Sequence, residues 1–380
     1  MKNRINLTLL LLSVLIIIAG CSNKLQKQPA SAEPEQPVET VVAPIVESPA
    51  AFFETQEGEG GLEITKYVGT AENVVIPKLI HGKQVTTISE NAFRGANLIS
   101  ITIPNSVKSI KDTSFSGNPD LEEIIVDPAN DFFSSVDGIL FNKEKSWIFR
   151  YPVNKNGEKY SIPESVTKIK VLAFHACRNL TSVNIPVGVT NIEFSAFDDT
   201  KLNTIVIPNS VTEIGGHAFR GTELTSVMIP ASVQNIGEAA FATRRTLMEI
   251  TVDESNSAFT SENGILFSKD KTQIRCYPNG RKETAYTIPE GIKIVSCWAF
   301  NEASNLELVT IPSTVEDIAY CAFSNLRKLT VHFLSHASNA NIEGDGVFWG
   351  IPKENITFVG QAGSKAQEFA EREGIKFIEE

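Results

Sequence analysis

The residues of this chain that could carry out chemistry are few and widely spaced. His332 and His336 are four residues apart, a separation that places two imidazoles on one helix face, where they could bind a metal ion. No third ligand is evident nearby, and the alternative is that both are surface or cap histidines. His81, His175 and His217 are isolated in the sequence. We therefore predict no metal site and no cofactor.

Motifs that support catalysis are also lacking in the sequence. It contains no GxSxG nucleophile motif, no HExxH zinc motif, no CxxC pair and no glycine-rich phosphate loop between a strand and a helix. The net charge is -11, and no cluster of lysine and arginine offers a surface for phosphates. We predict that the protein is not an enzyme and does not bind nucleic acid.

Four cysteines lie in the body of the chain, at Cys177, Cys276, Cys297 and Cys321. An exported protein could pair them as disulfides, but their spacing is irregular. The sequence favours buried thiols, because free cysteine packs as a small apolar side chain. Disulfide pairing among the four stays open at this stage.

The start of the chain is built like a secretory signal peptide. A basic start is followed by an apolar run over residues 7–18 and then by small residues. Residues 18–21, IAGC, resemble the bacterial lipobox, and this resemblance implies cleavage before Cys21 and attachment of lipid to it. We predict a lipoprotein signal peptide over residues 1–20. The alternative is a free cysteine beside an ordinary cleavage site.

The next segment has the composition of a tether. Residues 21–58 are rich in proline and glutamate and show no apolar period. They can bury too little apolar surface to offset the conformational entropy that is lost when a chain becomes ordered. Proline and repelling charges keep such a chain extended. We predict a lipidated N-terminus at Cys21 followed by a disordered tether that holds the remaining chain away from a membrane.

The rest of the chain repeats itself every 22 to 23 residues. Eight Ile-Pro dipeptides between Ile76 and Pro312 have proline spacings of 27, 59, 23, 22, 22, 59 and 23 residues. Aliphatic residues recur three and six positions after the proline, and phenylalanine recurs eleven positions after it. So short a unit cannot bury its apolar face alone, which indicates a stacked solenoid. The recurring phenylalanines are Phe115, Phe174, Phe197, Phe219, Phe241, Phe300 and Phe323, and Phe93 joins them once the five extra residues 79–83 are discounted.

The repeat IPxxVxxIxxxAFxxxxxLxx[IV]x resembles the BspA-like leucine-rich repeat family of bacterial surface proteins, over about residues 60–380. Apolar and variable residues alternate before each proline, which predicts a short strand, and the segment around each phenylalanine predicts a tight turn. We therefore predict an α/β repeat solenoid over residues 59–349. Its parallel strands would form the concave face, and short turns or 3₁₀ segments would form the convex face.

Two of the proline spacings contain related insertions. Residues 126–163 and 252–289 align with an offset of 126 residues, which indicates an internal duplication. Each insertion predicts a β-hairpin, and we expect both to project from the same edge of the solenoid. Residues 350–380 predict a cap of strand, helix and strand, with a helix that begins at Ser364 and stops at Gly374.

The exposed strand face is the first candidate for binding. Residues that flank the inward apolar position of each strand are mostly small and polar, which a solvated sheet face would explain, but they include aliphatic side chains that suit a protein partner. Trp147 near a hairpin tip is a competing candidate, since its counterpart in the second copy is Gln273. The predicted partner-binding residues are Ser182, Asn184, Thr204, Val206, Ser226, Met228, Glu249, Thr251 and Trp147.

These features together predict a lipid-anchored, extracytoplasmic leucine-rich repeat protein that binds other proteins through its concave face. The family resemblance implies an adhesin at the outer membrane or cell surface, with host matrix proteins, host receptors or other bacterial surface proteins as partners. The alternative is a periplasmic or envelope scaffold with a bacterial partner. The sequence does not identify the ligand or the oligomeric state.

Overall fold

A computed structural model describes residues 46–334 and 340–380 of the chain. The predicted signal peptide and Cys21 lie outside these residues, as does most of the predicted tether. Within the described ranges each repeat forms one coil, and each coil contributes a strand to one or both of two strand columns. Strands are numbered β1 to β30 in chain order.

The first column contains the strands that precede the prolines. They pair in parallel from coil to coil, and the isolated bridge between Ser182 and Thr204 continues the column where no full strand forms. In most coils the strand ends just before a proline, which has no N–H to donate to the neighbouring strand. The strands are β3 (Asn73–Val75), β6 (Ser100–Ile103), β8 (Glu123–Val126), β12 (Lys159–Ser161), β14 (Ser182–Asn184), β17 (Ser226–Ile229), β19 (Glu249–Val252), β23 (Ala285–Thr287), β25 (Leu308–Ile311), β27 (Leu329–Phe333), β29 (Ile356–Gly360) and β30 (Lys376–Glu379).

The second column lies after the prolines and consists largely of two-residue strands. A turn leads into it, because the proline carbonyl accepts the N–H of the residue three positions later, as from Val211 to Pro208 at 3.0 Å. The prediction did not include this second column. Its strands are β2 (Gly61–Tyr67), β5 (Lys83–Ile88), β7 (Ser109–Ile110), β11 (Trp147–Arg150), β13 (Lys168–Ile169), β15 (Asn191–Ile192), β16 (Glu213–Ile214), β18 (Asn235–Ile236), β22 (Gln273–Cys276), β24 (Ile294–Val295), β26 (Asp317–Ile318) and β28 (Asn341–Ile342).

Antiparallel strands add to the second column at four places. The two insertions each contribute a three-stranded antiparallel unit, whose last strand, β11 or β22, then pairs in parallel with the next coil. The expectation that the hairpins project from the solenoid is wrong, because their central strands are buried within the stack. The additional strands are β1 (Phe53–Gly58), β4 (Leu79–Ile80), β9 (Phe133–Val136), β10 (Ile139–Asn142), β20 (Phe259–Glu262) and β21 (Ile265–Ser268).

The phenylalanines form a ladder in the interior. Phe197 and Phe219 stack with ring centroids 5.4 Å apart and planes 6° from parallel, and Phe219 stacks on Phe241 at 5.6 Å and 3°. The alanine that precedes most of these phenylalanines has a backbone role as well, since the Phe197 N–H donates to the Ala218 carbonyl of the next coil at 2.8 Å. The ladder confirms that the phenylalanine positions belong to the core.

The insertions divide the interior into three hydrophobic cores. The first core contains buried side chains from Phe53 to Leu140, the second from Ile139 to Leu266, and the third from Ile265 to Ile375. At each boundary a tyrosine of the insertion begins a new run of the aromatic ladder, as Tyr151 does by stacking on Phe174 at 5.3 Å. The duplicated insertions therefore separate the cores of the solenoid.

The ordered body begins earlier than the sequence predicts. Phe53 lies within the predicted tether of residues 21–58, but it is buried, and β1 pairs antiparallel with β2. Its ring lies 5.5 Å from that of Tyr67 and 6.4 Å from that of Phe93, so it covers the first rung of the aromatic ladder. These contacts join residues that are distant in the sequence, so the local composition around Phe53 does not predict them.

The chain ends with β29, the helix α1 (Lys365–Glu373) and β30. The Ser364 Oγ accepts the Gln367 N–H at 3.3 Å, and Gly374 adopts a left-handed conformation at the other end. Among the described residues α1 is the sole α-helix, so the predicted α/β class is corrected to a β-solenoid. In this part of the chain no helix has both the length and the apolar character needed to cross a membrane.

Candidate binding surfaces

The outer surface of the first strand column, here called the strand-1 face, carries two rows of exposed side chains. Inward residues such as Val183 and Val227 are buried, and the residues on either side of them point outward. Parallel pairing aligns these outward residues from coil to coil. The structure brings eight of the nine predicted partner-binding residues onto this face, namely Ser182, Asn184, Thr204, Val206, Ser226, Met228, Glu249 and Thr251.

Two of these side chains are apolar and strongly exposed. Val206 is 77% exposed and Met228 is 53% exposed. They occupy the same position in consecutive coils, each being two residues before its proline. Small polar residues surround them, and Met228 is aligned with Thr251 of the next strand. The strand-1 face thus has an apolar centre with polar neighbours, the arrangement found in protein interfaces.

Trp147 does not belong to this face. It is the first residue of β11 in the second column, where it is aligned with Lys168, and it is 39% exposed. The Nζ atoms of Lys168 and Lys170 lie 5.2 Å and 5.7 Å from its ring centroid. These cation–π contacts hold the indole against its own solenoid, directly after the turn of residues 143–146 that joins the antiparallel strands β10 and β11.

Ion pairs link consecutive coils on the turn side of the solenoid. Asp198 is buried, and Arg220 donates to it through Nε at 3.0 Å and Nη2 at 2.6 Å. The His175 Nδ1 lies 3.5 Å from the same carboxylate. Burial alone would raise the pKa of Asp198, but hydrogen bonds and charge from His175 and Arg220 lower it below its usual value. Asp198 is therefore an ionised structural link.

A row of aromatic residues on the turn side was missed from the sequence. Phe194 lies 5.1 Å from His217, His217 lies 6.3 Å from Trp298, and Trp298 lies 6.3 Å from Trp349, measured between ring centroids. Phe194 and Trp349 are 49% and 55% exposed. The signal was present, since Phe194, His217 and Trp298 all lie eight or nine residues after a proline.

The row also contains a histidine in a partly buried environment. Burial lowers the pKa of His217, and the charge of Arg220 lowers it further. The imidazole is consequently neutral at pH 7 and packs as an aromatic ring between its neighbours.

A cavity of about 220 Å³ lies where the second insertion meets the solenoid. Cys276 and Cys297 line it together with Trp298 and Glu238. All four cysteines in the described residues are free; Cys177 and Cys321 are buried as predicted, whereas Cys276 and Cys297 are partly exposed. Burial raises the pKa of Cys276 to about 12 and that of Cys297 to about 11. Both thiols are neutral at pH 7 and poorly suited to nucleophilic chemistry.

The described residues contain no metal site at the pair His332 and His336. The His332 Nε2 contacts the Glu380 carboxylate, and His336 lies outside the described residues. Within the described ranges no three His, Cys, Asp or Glu side chains are placed to share a metal ion.

Comparison with known proteins identifies the repeat. A profile of the BspA type leucine rich repeat region matches six copies over residues 70–147, 148–268 and 271–362. A comparison with curated proteins gives no match.

The structure also resembles solved structures of bacterial proteins. A leucine rich cell surface protein of Faecalibacterium prausnitzii is 23% identical with a TM-score of 0.46, over 86% of this chain and 88% of that one. The pneumococcal vaccine antigen PcpA is 17% identical with a TM-score of 0.38, over 86% and 98%. A leucine-rich repeat protein of Eubacterium ventriosum is 19% identical with a TM-score of 0.39, over 74% and 76%.

Proposed function

The chain belongs to the BspA-type leucine-rich repeat family, and we propose that it is an extracytoplasmic, lipid-anchored protein that binds other proteins through the strand-1 face. Lipid on Cys21 would hold it to the cell envelope, and the proline-rich tether would extend the repeats outward. The proposed role is that of a surface adhesin, with a host protein or another bacterial surface protein as partner.

The exposed pair Val206 and Met228 is the observation that supports binding at the strand-1 face. Burying an apolar side chain of this size contributes roughly 1.5–3 kcal/mol, so two of them at the centre of one face can anchor a partner. The polar residues Thr204, Ser226 and Thr251 around the pair supply donors and acceptors for the rim.

The competing surface is the second column around Trp147. A large aromatic side chain is a common binding anchor, but the two lysines already cover part of this ring. Its counterpart Gln273 shows that the fold does not require tryptophan at this position.

Binding by two variants of matched stability tests the choice of surface. The partner is first captured by cross-linking to the natural chain on intact cells and then purified. Val206→Glu combined with Met228→Glu places two charges on the strand-1 face, and we expect it to abolish binding. Trp147→Gln introduces the residue of the second copy, and we expect it to bind normally. Loss of binding in Trp147→Gln alone would overturn the choice.

Protease treatment of intact cells separates the adhesin from the alternative of a periplasmic scaffold. If the protein is anchored at the cell surface, we expect the protease to cut the predicted tether before the described residues begin and to release the repeat body as a folded fragment. A protein that is trimmed only after the cells are lysed would instead support the periplasmic alternative.

A further inference from the structure

The second insertion interrupts the hydrogen bonds between turns on the turn side of the solenoid. Elsewhere the N–H of a ladder phenylalanine donates to the next turn, as from Phe219 to the Ala240 carbonyl at 2.8 Å and from Phe300 to the Ala322 carbonyl at 2.9 Å. The equivalent N–H of Phe241 donates to no carbonyl among the described residues. A cavity of about 390 Å³ lies at this interruption, and residues of the turns around Phe241 and Phe300 line it.

The apolar lining of this turn-side cavity is mainly aromatic. Trp298, Trp349 and His217 contribute rings, and the aliphatic residues in the lining are Ala239 and Ala242. Trp349 is 55% exposed, and Trp298 is partly exposed. Flat rings without leucine, isoleucine, valine or methionine suit a ligand that has a flat apolar face of its own.

The charged residues in the lining are already neutralised by partners. The Arg245 Nε lies 3.4 Å from the Glu302 carboxylate, and the Arg220 Nη2 donates to Asp198 at 2.6 Å. His217 is neutral at pH 7, because burial lowers the pKa of its imidazole. An ionic ligand would therefore lose its hydration without gaining an unpaired charge as partner, so the cavity favours a neutral ligand.

Two asparagines in the lining retain unused hydrogen-bonding groups. The Asn301 Oδ1 accepts from the Ser324 Oγ and from the Asn325 Nδ2, both at 2.9 Å. The other amide atom of each residue, the Asn301 Nδ2 or the Asn325 Oδ1, has no hydrogen-bond partner among the described residues, and neither atom is sealed from solvent. One donor and one acceptor thus remain for a polar ligand.

The fold does not require tryptophan at position 298. The equivalent residue of the first copy, 126 residues earlier, is Leu172, and both have a left-handed backbone, with φ of 59° at Leu172 and 61° at Trp298. This conformation is unfavourable for a bulky side chain. The cavity beside the first insertion has no tryptophan, tyrosine or phenylalanine among the described residues that line it. A structural role common to both copies therefore does not explain Trp298.

We propose that the turn-side cavity binds a neutral carbohydrate, with Trp298 and Trp349 as stacking surfaces. A pyranose ring has an apolar face of C–H groups that packs against an aromatic ring, and its hydroxyl groups both donate and accept hydrogen bonds, as the amides of Asn301 and Asn325 require. A volume of about 390 Å³ lies within the range of about 300–1,000 Å³ that is typical of small-molecule sites. The cavity shares no residue with the strand-1 face, so carbohydrate binding would be a second activity.

Calorimetric titration of the purified chain with neutral trisaccharides of glucose, mannose and N-acetylglucosamine tests the proposal. We expect at least one of them to bind saturably. A polyproline peptide is titrated in parallel, because proline-rich segments also bind to aromatic surfaces. Binding of the peptide without binding of any trisaccharide would assign the cavity to a protein partner and overturn the proposal, as would the absence of binding by every probe.

Two variants assign the binding to the cavity. Trp298→Leu introduces the residue of the first copy, and Trp349→Ala removes the more exposed ring, so one remains available if the other does not fold. We expect either variant to weaken trisaccharide binding about tenfold or more. An unchanged dissociation constant in both folded variants would overturn the assignment of the site.

Two controls separate this proposal from protein binding at the strand-1 face. Trp147→Gln removes an exposed tryptophan elsewhere, and Val206→Glu combined with Met228→Glu changes the strand-1 face. Both should bind the trisaccharide like the natural chain, whereas Trp298→Leu should still bind the protein partner. Loss of trisaccharide binding in the folded strand-1 variant would place the carbohydrate on the strand-1 face and overturn the proposal.

Discussion

Leu140 and Phe141 are adjacent in β10, yet their side chains are buried in two different hydrophobic cores. Successive residues of a strand point to opposite faces, so Leu140 packs into the first core and Phe141 into the second. Leu266 and Phe267 repeat this relationship between the second and third cores. Each central strand is a wall shared by two cores, which explains why an insertion that looked like a projecting hairpin is buried.

Because each central strand separates two cores, we predict that truncating a side chain on one of its faces destabilises only the core on that side. Leu140→Ala removes apolar contacts from the first core, at a typical cost of about 2–5 kcal/mol. Because coils contact only their neighbours, we expect faster amide hydrogen exchange in residues 62–126 and little change in residues 169–236. Leu266→Ala is the matched control, for which exchange should quicken in residues 169–236. Uniform acceleration along the whole chain in both variants would contradict this account.

Phe219 is stacked on both sides, so its truncation affects two interfaces between coils. Phe219→Ala should cost about 3–5 kcal/mol and make thermal unfolding less cooperative. The half-exposed Phe194 provides the control, since Phe194→Ala removes the same ring from the surface with a smaller loss of stability. A calorimetric melt of Phe219→Ala that overlays that of the natural chain would show that the ladder does not stabilise the fold.

Asp198 predicts a loss of stability in acid. Burial acts to raise its pKa, but the hydrogen bonds and charges of His175 and Arg220 outweigh burial and lower it. A carboxylate with a lower pKa in the folded state stabilises the fold above its unfolded pKa of about 4, and this stabilisation is lost as the pH falls through the folded pKa. We expect the melting temperature to drop below about pH 4.

Asp198→Asn should flatten this acid dependence, because its side chain does not titrate. Melting temperatures between pH 7 and pH 2 provide the measurement, and Asp120→Asn, at an exposed position, should keep the profile of the natural chain. An unchanged profile in Asp198→Asn would assign the acid sensitivity to other carboxylates.

The sequence was informative wherever one residue type has one structural role in every coil. Proline ends a strand and phenylalanine fills the ladder, so their fixed spacing predicted the solenoid, and the family match confirms the repeat. Two-residue strands such as Lys168–Ile169 are too short to show strand alternation, although their second residue is the aliphatic one that recurs six positions after the proline. Their position is set by hydrogen bonds to the adjacent coil, which the sequence does not display.

The candidate sites were also predictable from the sequence to different degrees. Residues of the strand-1 face such as Val206 and Met228 were found because strand alternation assigns them outward. The buried ion pair of Asp198 was missed, since its partners His175 and Arg220 lie in neighbouring coils.

The last prediction concerns the anchor. If Cys21 carries lipid, Cys21→Ser prevents acylation, and the protein is then either released or retained with its leader uncleaved. Because each buried CH₂ contributes about 0.8 kcal/mol, the loss of two chains removes stable membrane attachment. Metabolic labelling with a fatty acid and partitioning into detergent measure the two effects. Cys297→Ser, within the repeats, is the control and should label and partition normally. Unchanged labelling of Cys21→Ser would show that the lipid, if present, is attached elsewhere.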